Sequence, residues 1–179
     1  KSLSTVNDMY AEILSSFGQK AEALAYYQKS LDIGKKAWSL EPSNITYRRD
    51  LAVSYLYVSK TQCEVGRCSE AIADADKALS MSKEIAASDK QNADFAAVVR
   101  AAEENKGELL VRSGRFDEAI RLLSPTLEEF ERLMSSDPND KLLAFSAAAV
   151  REQLGRAHLM SGMKDTKGKF VSKEVATGC

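Results

Sequence analysis

Gly18, Gly66, Gly114 and Gly162 stand 48 residues apart, and the residues around them recur with them. Four to six positions after the first three glycines the chain reads Glu22-Ala23-Leu24, Glu70-Ala71-Ile72 and Glu118-Ala119-Ile120. Arg67 and Arg115 directly follow two of the glycines. Leu31, Leu79 and Leu127 come thirteen residues after a glycine, and small Ala11, Ser59, Gly107 and Gly155 come seven before one. A single-core enzyme fold gives every position its own environment and does not repeat itself in this way. A fixed period of this size is the mark of an array built from one supersecondary unit.

Within a unit the apolar spacing is helical. Between positions 44 and 65, Tyr47, Leu51, Tyr55, Val58 and Val65 recur at threes, fours and sevens with no Pro or Gly among them. After Gly66 the same spacing runs through Ala71, Ile72, Ala75, Ala78, Leu79, Met81 and Ile85 to a polar break at 88–91. Each unit therefore reads as a helix, a turn at the glycine, and a second helix. Glycine suits that turn because a helix C-cap calls for a positive φ. Asn44, Asn92 and Asp140 share one register and are good N-cap types for the next helix. Pro42 and Pro138 mark the same boundary, and Lys90 takes their place in the middle unit.

The pattern predicts an all-α chain with helices over 3–16, 20–39, 44–65, 68–87, 92–113, 116–135 and 140–161. The units run about 1–42, 43–90, 91–138 and 139–163, followed by a lysine-rich tail or cap over 164–179 that lacks the Glu-Ala-Ile counterpart. The counterpart of Asn44 in the first unit would fall before Lys1, so the chain reads as a piece of a longer protein. Pro125 lies inside the sixth helix, where it removes a backbone hydrogen bond at a cost of about 3 kcal/mol, and it predicts a kink.

Composition narrows the function classes. Apolar residues make up 44% of the chain and charged residues 28%, with a net charge of −1, so nothing chain-wide attracts nucleic acid or an anionic membrane. No apolar run reaches the roughly 18 to 20 residues of a membrane helix, and the chain reads as soluble and cytoplasmic. Cys63, Cys68 and Cys179 are sparse and odd in number, which argues against a disulfide scaffold. Cys63 and Cys68 straddle Gly66 with neither CxxC nor His/Cys spacing. They read as small helix-packing residues, with a redox pair across the turn as the alternative.

The run Gly114-Arg115-Phe116-Asp117-Glu118-Ala119-Ile120, with small Gly107 before it and Pro138 closing the unit, resembles the tetratricopeptide repeat. Gly66-Arg67-Cys68-Ser69-Glu70-Ala71-Ile72 and Gly18-Gln19-Lys20-Ala21-Glu22-Ala23-Leu24 carry the same signature more weakly, so the resemblance spans residues 3 to 162. It departs from the family in period, which is about 34 residues there. The surplus of about 14 residues is close to four helical turns, which preserves the phase. The large aromatic of the family's first helix is also poorly kept: Leu14, Gln62, Leu110 and His158 stand four before the glycines, and Asn7, Tyr55, Glu103 and Arg151 eleven before.

The resemblance implies an α-solenoid of antiparallel helix hairpins wound into a right-handed superhelix. It also implies a non-catalytic protein–protein interaction scaffold whose first helices line a concave groove for a peptide or partner helix. Carried over by position, the groove residues are Asp8, Glu12, Leu56, Lys60, Glu64, Glu104, Glu108, Arg112, Glu152 and Arg156. Acidic residues predominate in this set, which lacks the basic clamp that family members use for a terminal carboxylate. It suits a basic or amphipathic segment, against the plainer reading of an ordinary solvated helix face. The alternative is a regulatory or docking region of a larger enzyme, such as the repeat arrays attached to some bacterial signalling kinases. Self-association through the open ends of the stack is a further expectation.

No feature calls for catalysis, a cofactor or a metal. His158, the only histidine, sits at a register position otherwise held by Leu14, Gln62 and Leu110, and reads as a packing residue. The glycines are spread rather than clustered, so no phosphate loop is present. Glu22, Glu70 and Glu118 recur because the turn recurs, not because they form a catalytic pair. Trp38 reads as core or inter-repeat packing.

Overall fold

The structure, a computed structural model, describes residues 3–162, and the expected tail over 164–179 lies outside the described residues. Seven helices account for the described chain: α1 (Leu3–Ser16), α2 (Lys20–Leu40), α3 (Ile45–Glu64), α4 (Cys68–Ser88), α5 (Ala93–Arg112), α6 (Phe116–Ser136) and α7 (Lys141–Gly162). Their ends fall within one residue of the boundaries that the sequence predicts.

The glycine turns explain why the motif recurs. Gly18, Gly66 and Gly114 adopt φ of +79°, +88° and +74°, a region that side-chain-bearing residues rarely enter. At each, the glycine N–H donates to the carbonyl three residues back and the next N–H donates to the carbonyl five back. In the first turn these are Gly18 N to Ser15 O at 3.0 Å and Gln19 N to Leu14 O at 2.9 Å. This paired pattern satisfies carbonyls that a helix end leaves orphaned. Gly162 differs, because it is the last described residue of α7 and has no positive φ.

The recurring glutamate and alanine have separate reasons. Arg115 donates to both Glu118 carboxylate oxygens, from Nε at 2.7 Å and Nη2 at 2.6 Å, and this pairing holds the Glu118 carboxyl below the usual range. The acid also faces the positive end of its helix. Ala23, Ala71 and Ala119 are fully buried where the two helices of a hairpin meet. On the other side of each unit Asn44 accepts from Thr46 N and Tyr47 N, Asn92 from Asp94 N and Phe95 N, and Asp140 from Leu143 N. These are side-chain N-caps.

Each helix packs against its immediate neighbours in the chain, and in addition α3 touches α5 and α5 touches α7. Among the described residues the backbones of no two second helices come close, nor do those of α1 and α3, although a side-chain hydrogen bond between Glu12 and Tyr57 bridges α1 and α3. The core follows this order as three successive clusters, centred on Leu31, Leu51 and Val58, then on Leu109, Leu110 and Phe116, then on Leu123, Phe130 and Val150. The architecture is all-helical and repeat-like.

Small residues set the helix spacing. Ala11 and Ser59 have no exposed surface and Gly107 is buried. A Cβ on Gly107 would run into Leu123, with Cδ1 at 2.6 Å and Cδ2 nearer. Gly155, the fourth member of the series, is exposed with nothing within 4 Å of such a Cβ. Pro125 lies on the exposed side of an α6 that runs unbroken from Phe116 to Ser136.

Two expectations are overturned. Cys63 and Cys68 are not separate packing residues: they are joined as a disulfide across the Gly66 turn, with Cα atoms 4.0 Å apart. His158 is exposed rather than packed. Its counterparts Leu14, Gln62 and Leu110 are buried in hairpins with α2, α4 and α6, and α7 has no following helix among the described residues.

Candidate functional site

The first helices carry the positions expected to bind a partner, and the structure gathers some of them. Leu56 and Lys60 of α3 and Glu104 and Glu108 of α5 line one depression with Tyr57, Ala101 and Asn105, of about 190 Å³. Its walls are held by a direct bond between the two helices, from Asn105 Nδ2 to Ser59 Oγ at 2.8 Å. Glu104 also lines the next depression, of about 400 Å³, together with Ala97, Arg100, Phe130, Leu142, Leu143 and Ser146. One carboxylate thus serves two adjoining hollows.

Its electrostatics follow from that position. Burial raises the Glu104 pKa above the usual carboxylate value, and the neighbouring Glu108 charge adds to it. A hydrogen bond with Ser146 and the Lys60 charge act in the opposite direction. The first unit shows the same tendency. Asp8 is raised mainly by burial and further by the charges of Glu12 and Asp50, against a hydrogen bond with Ser30. Tyr57 is pushed up by burial and then by Glu12 and Asp8, and its ring stacks on Tyr27 at 5.0 Å. Two acceptors in this region, Asp8 Oδ1 and Asn105 Oδ1, are buried with no protein hydrogen-bond partner. Such an atom costs free energy until a donor reaches it.

Of the remaining expected residues, Glu12 is hydrogen-bonded with Tyr57 and the others are held in ion pairs. Glu64 is tied to Lys20 of α2 at 3.0 Å. Arg112 pairs with Glu108 at 3.2 Å along α5, and Arg156 with Glu152 at 3.7 Å along α7. Neither Arg112, Glu152 nor Arg156 lines a depression described here.

Sequence reasoning missed Tyr57 and Asn105, which are one register step away from Leu56 and Glu104. The signal that could have found Asn105 is its place two residues before the small Gly107, where helices run close enough for a short polar side chain to span them. Among the described residues no group of three or more His, Cys, Asp and Glu is placed to hold a metal ion, and no helix is long and apolar enough to cross a membrane. A scan of protein-family models gives no match to the chain, and a search of curated proteins finds no relative.

Proposed function

We propose that the chain is a non-catalytic interaction scaffold, an α-solenoid of the tetratricopeptide type with lengthened helices, and that its first helices form a groove for a basic or amphipathic protein segment. Backbone contact of α3 with α5 and of α5 with α7, with none between second helices among the described residues, supports a curvature that puts these first helices on the inner side. The observation that carries the reading is the α3–α5 depression. It combines an apolar base at Leu56 and Tyr57, the carboxylates Glu104 and Glu108, and the unpartnered acceptor Asn105 Oδ1. A helix or extended segment bearing Lys or Arg supplies a further cation beside Lys60 and a donor for Asn105 Oδ1.

The test is binding of a fluorescent amphipathic basic peptide as ionic strength is raised. Affinity falls with salt and is lost in the Glu104→Lys, Glu108→Lys double variant. Affinity that ignores both changes refutes the groove.

Self-association is a second reading, favoured by one feature of α1 and the turn residue that follows it. Leu3, Val6, Tyr10, Ile13 and Phe17 are all exposed at alternating spacings of three and four. That is the narrow apolar seam by which helices pair. Light scattering over a dilution series tests it, and a monomer at every concentration removes it.

A further inference from the structure

The junction between the first two hairpins and the junction between the next two have the same register but different chemistry. At the second junction, where α5 lies against α4 and α6, ionic groups span the space between helices. Lys83 Nζ meets Glu103 Oε1 at 3.1 Å, Thr126 donates to Glu103 Oε2 at 2.9 Å, and Arg100 meets Glu129 at 3.0 Å. At the first junction, where α3 lies against α2 and α4, the positions one period earlier read Lys35, Tyr55, Ala78, Ala52 and Met81. The lysine is kept, while both carboxylates, the arginine and the hydroxyl are gone. A second lysine, Lys77, stands where the later unit has Pro125.

The result is an open cavity of about 410 Å³ lined by Lys35, Trp38, Leu51, Tyr55, Lys77 and Met81, with the Ser39 and Ser80 side chains at its edge. Its base is aromatic and aliphatic. Lys35 Nζ lies 5.7 Å and Lys77 Nζ 5.2 Å from the Tyr55 ring centroid, so two ammonium groups converge on one ring. The acids facing these lysines are on their own helices. Asp32 is 3.5 Å from Lys35 and Asp74 is 2.9 Å from Lys77, and Asp74 also accepts from Gln62 Nε2. Pairs of this kind along one helix add little to stability, so an anion that reaches both ammonium groups can compete with them. Ser80 is directed to Glu84 at 3.2 Å, away from either ammonium group. The size is that of a small-ligand site, and the lining matches an apolar body with one charged end.

We infer that this cavity binds a free amphiphilic monocarboxylate, whose carboxylate lies between Lys35 and Lys77 in the role that Glu103 plays one repeat later and whose apolar body covers Tyr55, Trp38 and Met81. The site shares no lining residue with the depressions of the first-helix groove, so it stands or falls apart from the scaffold reading. The hydrogen bond that Lys77 donates to Asp74 raises the Lys77 pKa, which keeps that group charged through the neutral range.

Trp38 is the only tryptophan in the chain and lines the cavity, so its emission reports occupancy directly. Titration with sodium octanoate gives a saturable change in Trp38 emission, whereas octanamide, the neutral analogue, binds about tenfold or more weakly. The Lys35→Met, Lys77→Met double variant loses that preference. Both lysines are exposed, so circular dichroism confirms an unchanged helix content in the variant. Octanamide binding as tightly as octanoate to the unaltered chain overturns the proposal, as does an emission unchanged at millimolar octanoate. Full octanoate affinity in the double variant overturns it equally.

Discussion

Leu3, Val6 and Ile13 of α1 occupy the same places in their unit as Leu51, Ser54 and Thr61 of α3, yet the two sets have opposite fates. The α1 residues are 67%, 50% and 53% exposed, and those of α3 are 2%, 7% and 4% exposed. The more apolar set faces outward and the more polar set is buried. Serine and threonine tolerate burial in α3 because each hydroxyl donates back along the helix, Ser54 to Asp50 O at 3.0 Å and Thr61 to Tyr57 O at 2.8 Å. The difference arises because α2 covers that face of α3, and no described helix covers the same face of α1. Register sets which face a residue occupies. Whether that face is core depends on a neighbour, which position within a repeat cannot express.

Substitution at one register position in two places tests this most strongly. Leu109 is the counterpart of Ile13 two periods on and is 1% exposed. Leu109→Ala costs about 2 to 5 kcal/mol, while Ile13→Ala stays within about 0.5 kcal/mol. Thermal denaturation of both variants measures the gap. Equal losses would show that the α1 face is covered in solution, and the contrast between the two ends would fail.

The glycine series makes the same comparison with smaller effects. Gly107→Ala drives a methyl into Leu123, which is wholly buried, so it loses about 1 to 3 kcal/mol even before the larger Gly107→Leu is tried. Gly155→Ala, in open space on α7, gains up to about 1 kcal/mol through helix propensity alone. Two midpoints moving in the same direction would contradict the packing described for this seam.

Helix starts differ in a third way. Asn44→Ala removes the acceptor of two backbone N–H groups and costs about 1 kcal/mol, whereas Gln19→Ala, at an N-cap whose side chain makes no capping bond, is close to neutral. Urea titration resolves the pair.

The smallest effect concerns pH. Burial raises the Glu104 pKa in the fold, so between the ordinary carboxylate value and the raised one the folded chain holds a proton that the unfolded chain has released. Stability from this group is present below that window and falls as pH rises through it. Glu104→Gln flattens that slope, and denaturation at acidic and neutral pH shows it as a smaller difference between the two. A slope unchanged in the variant assigns the dependence to Asp8 instead.

The helices were legible because local signals agree at each end: glycine with positive φ closes one, and Asn or Asp opens the next. Less of the candidate site was legible. Leu56, Lys60, Glu104 and Glu108 meet because α3 and α5 touch, while Glu152 and Arg156 share their register and pair with each other along α7. In the sequence the Cys63–Cys68 pair ranks only second, as a redox pair across the turn, because its spacing fits no familiar motif, whereas the bond depends on a turn that brings the two ends of a short loop together. His158 escaped the sequence reading for the reason that separates α1 from α3, namely a face with no described neighbour.

Contacts limited to chain neighbours and the next first helix have a mechanical corollary. Load or heat applied to the ends need not breach one shared interior, because each hairpin can detach while those farther in stay clasped. Amide exchange would then fade in steps from α1 and α7 toward α3 and α4, like a zip opening from both tabs.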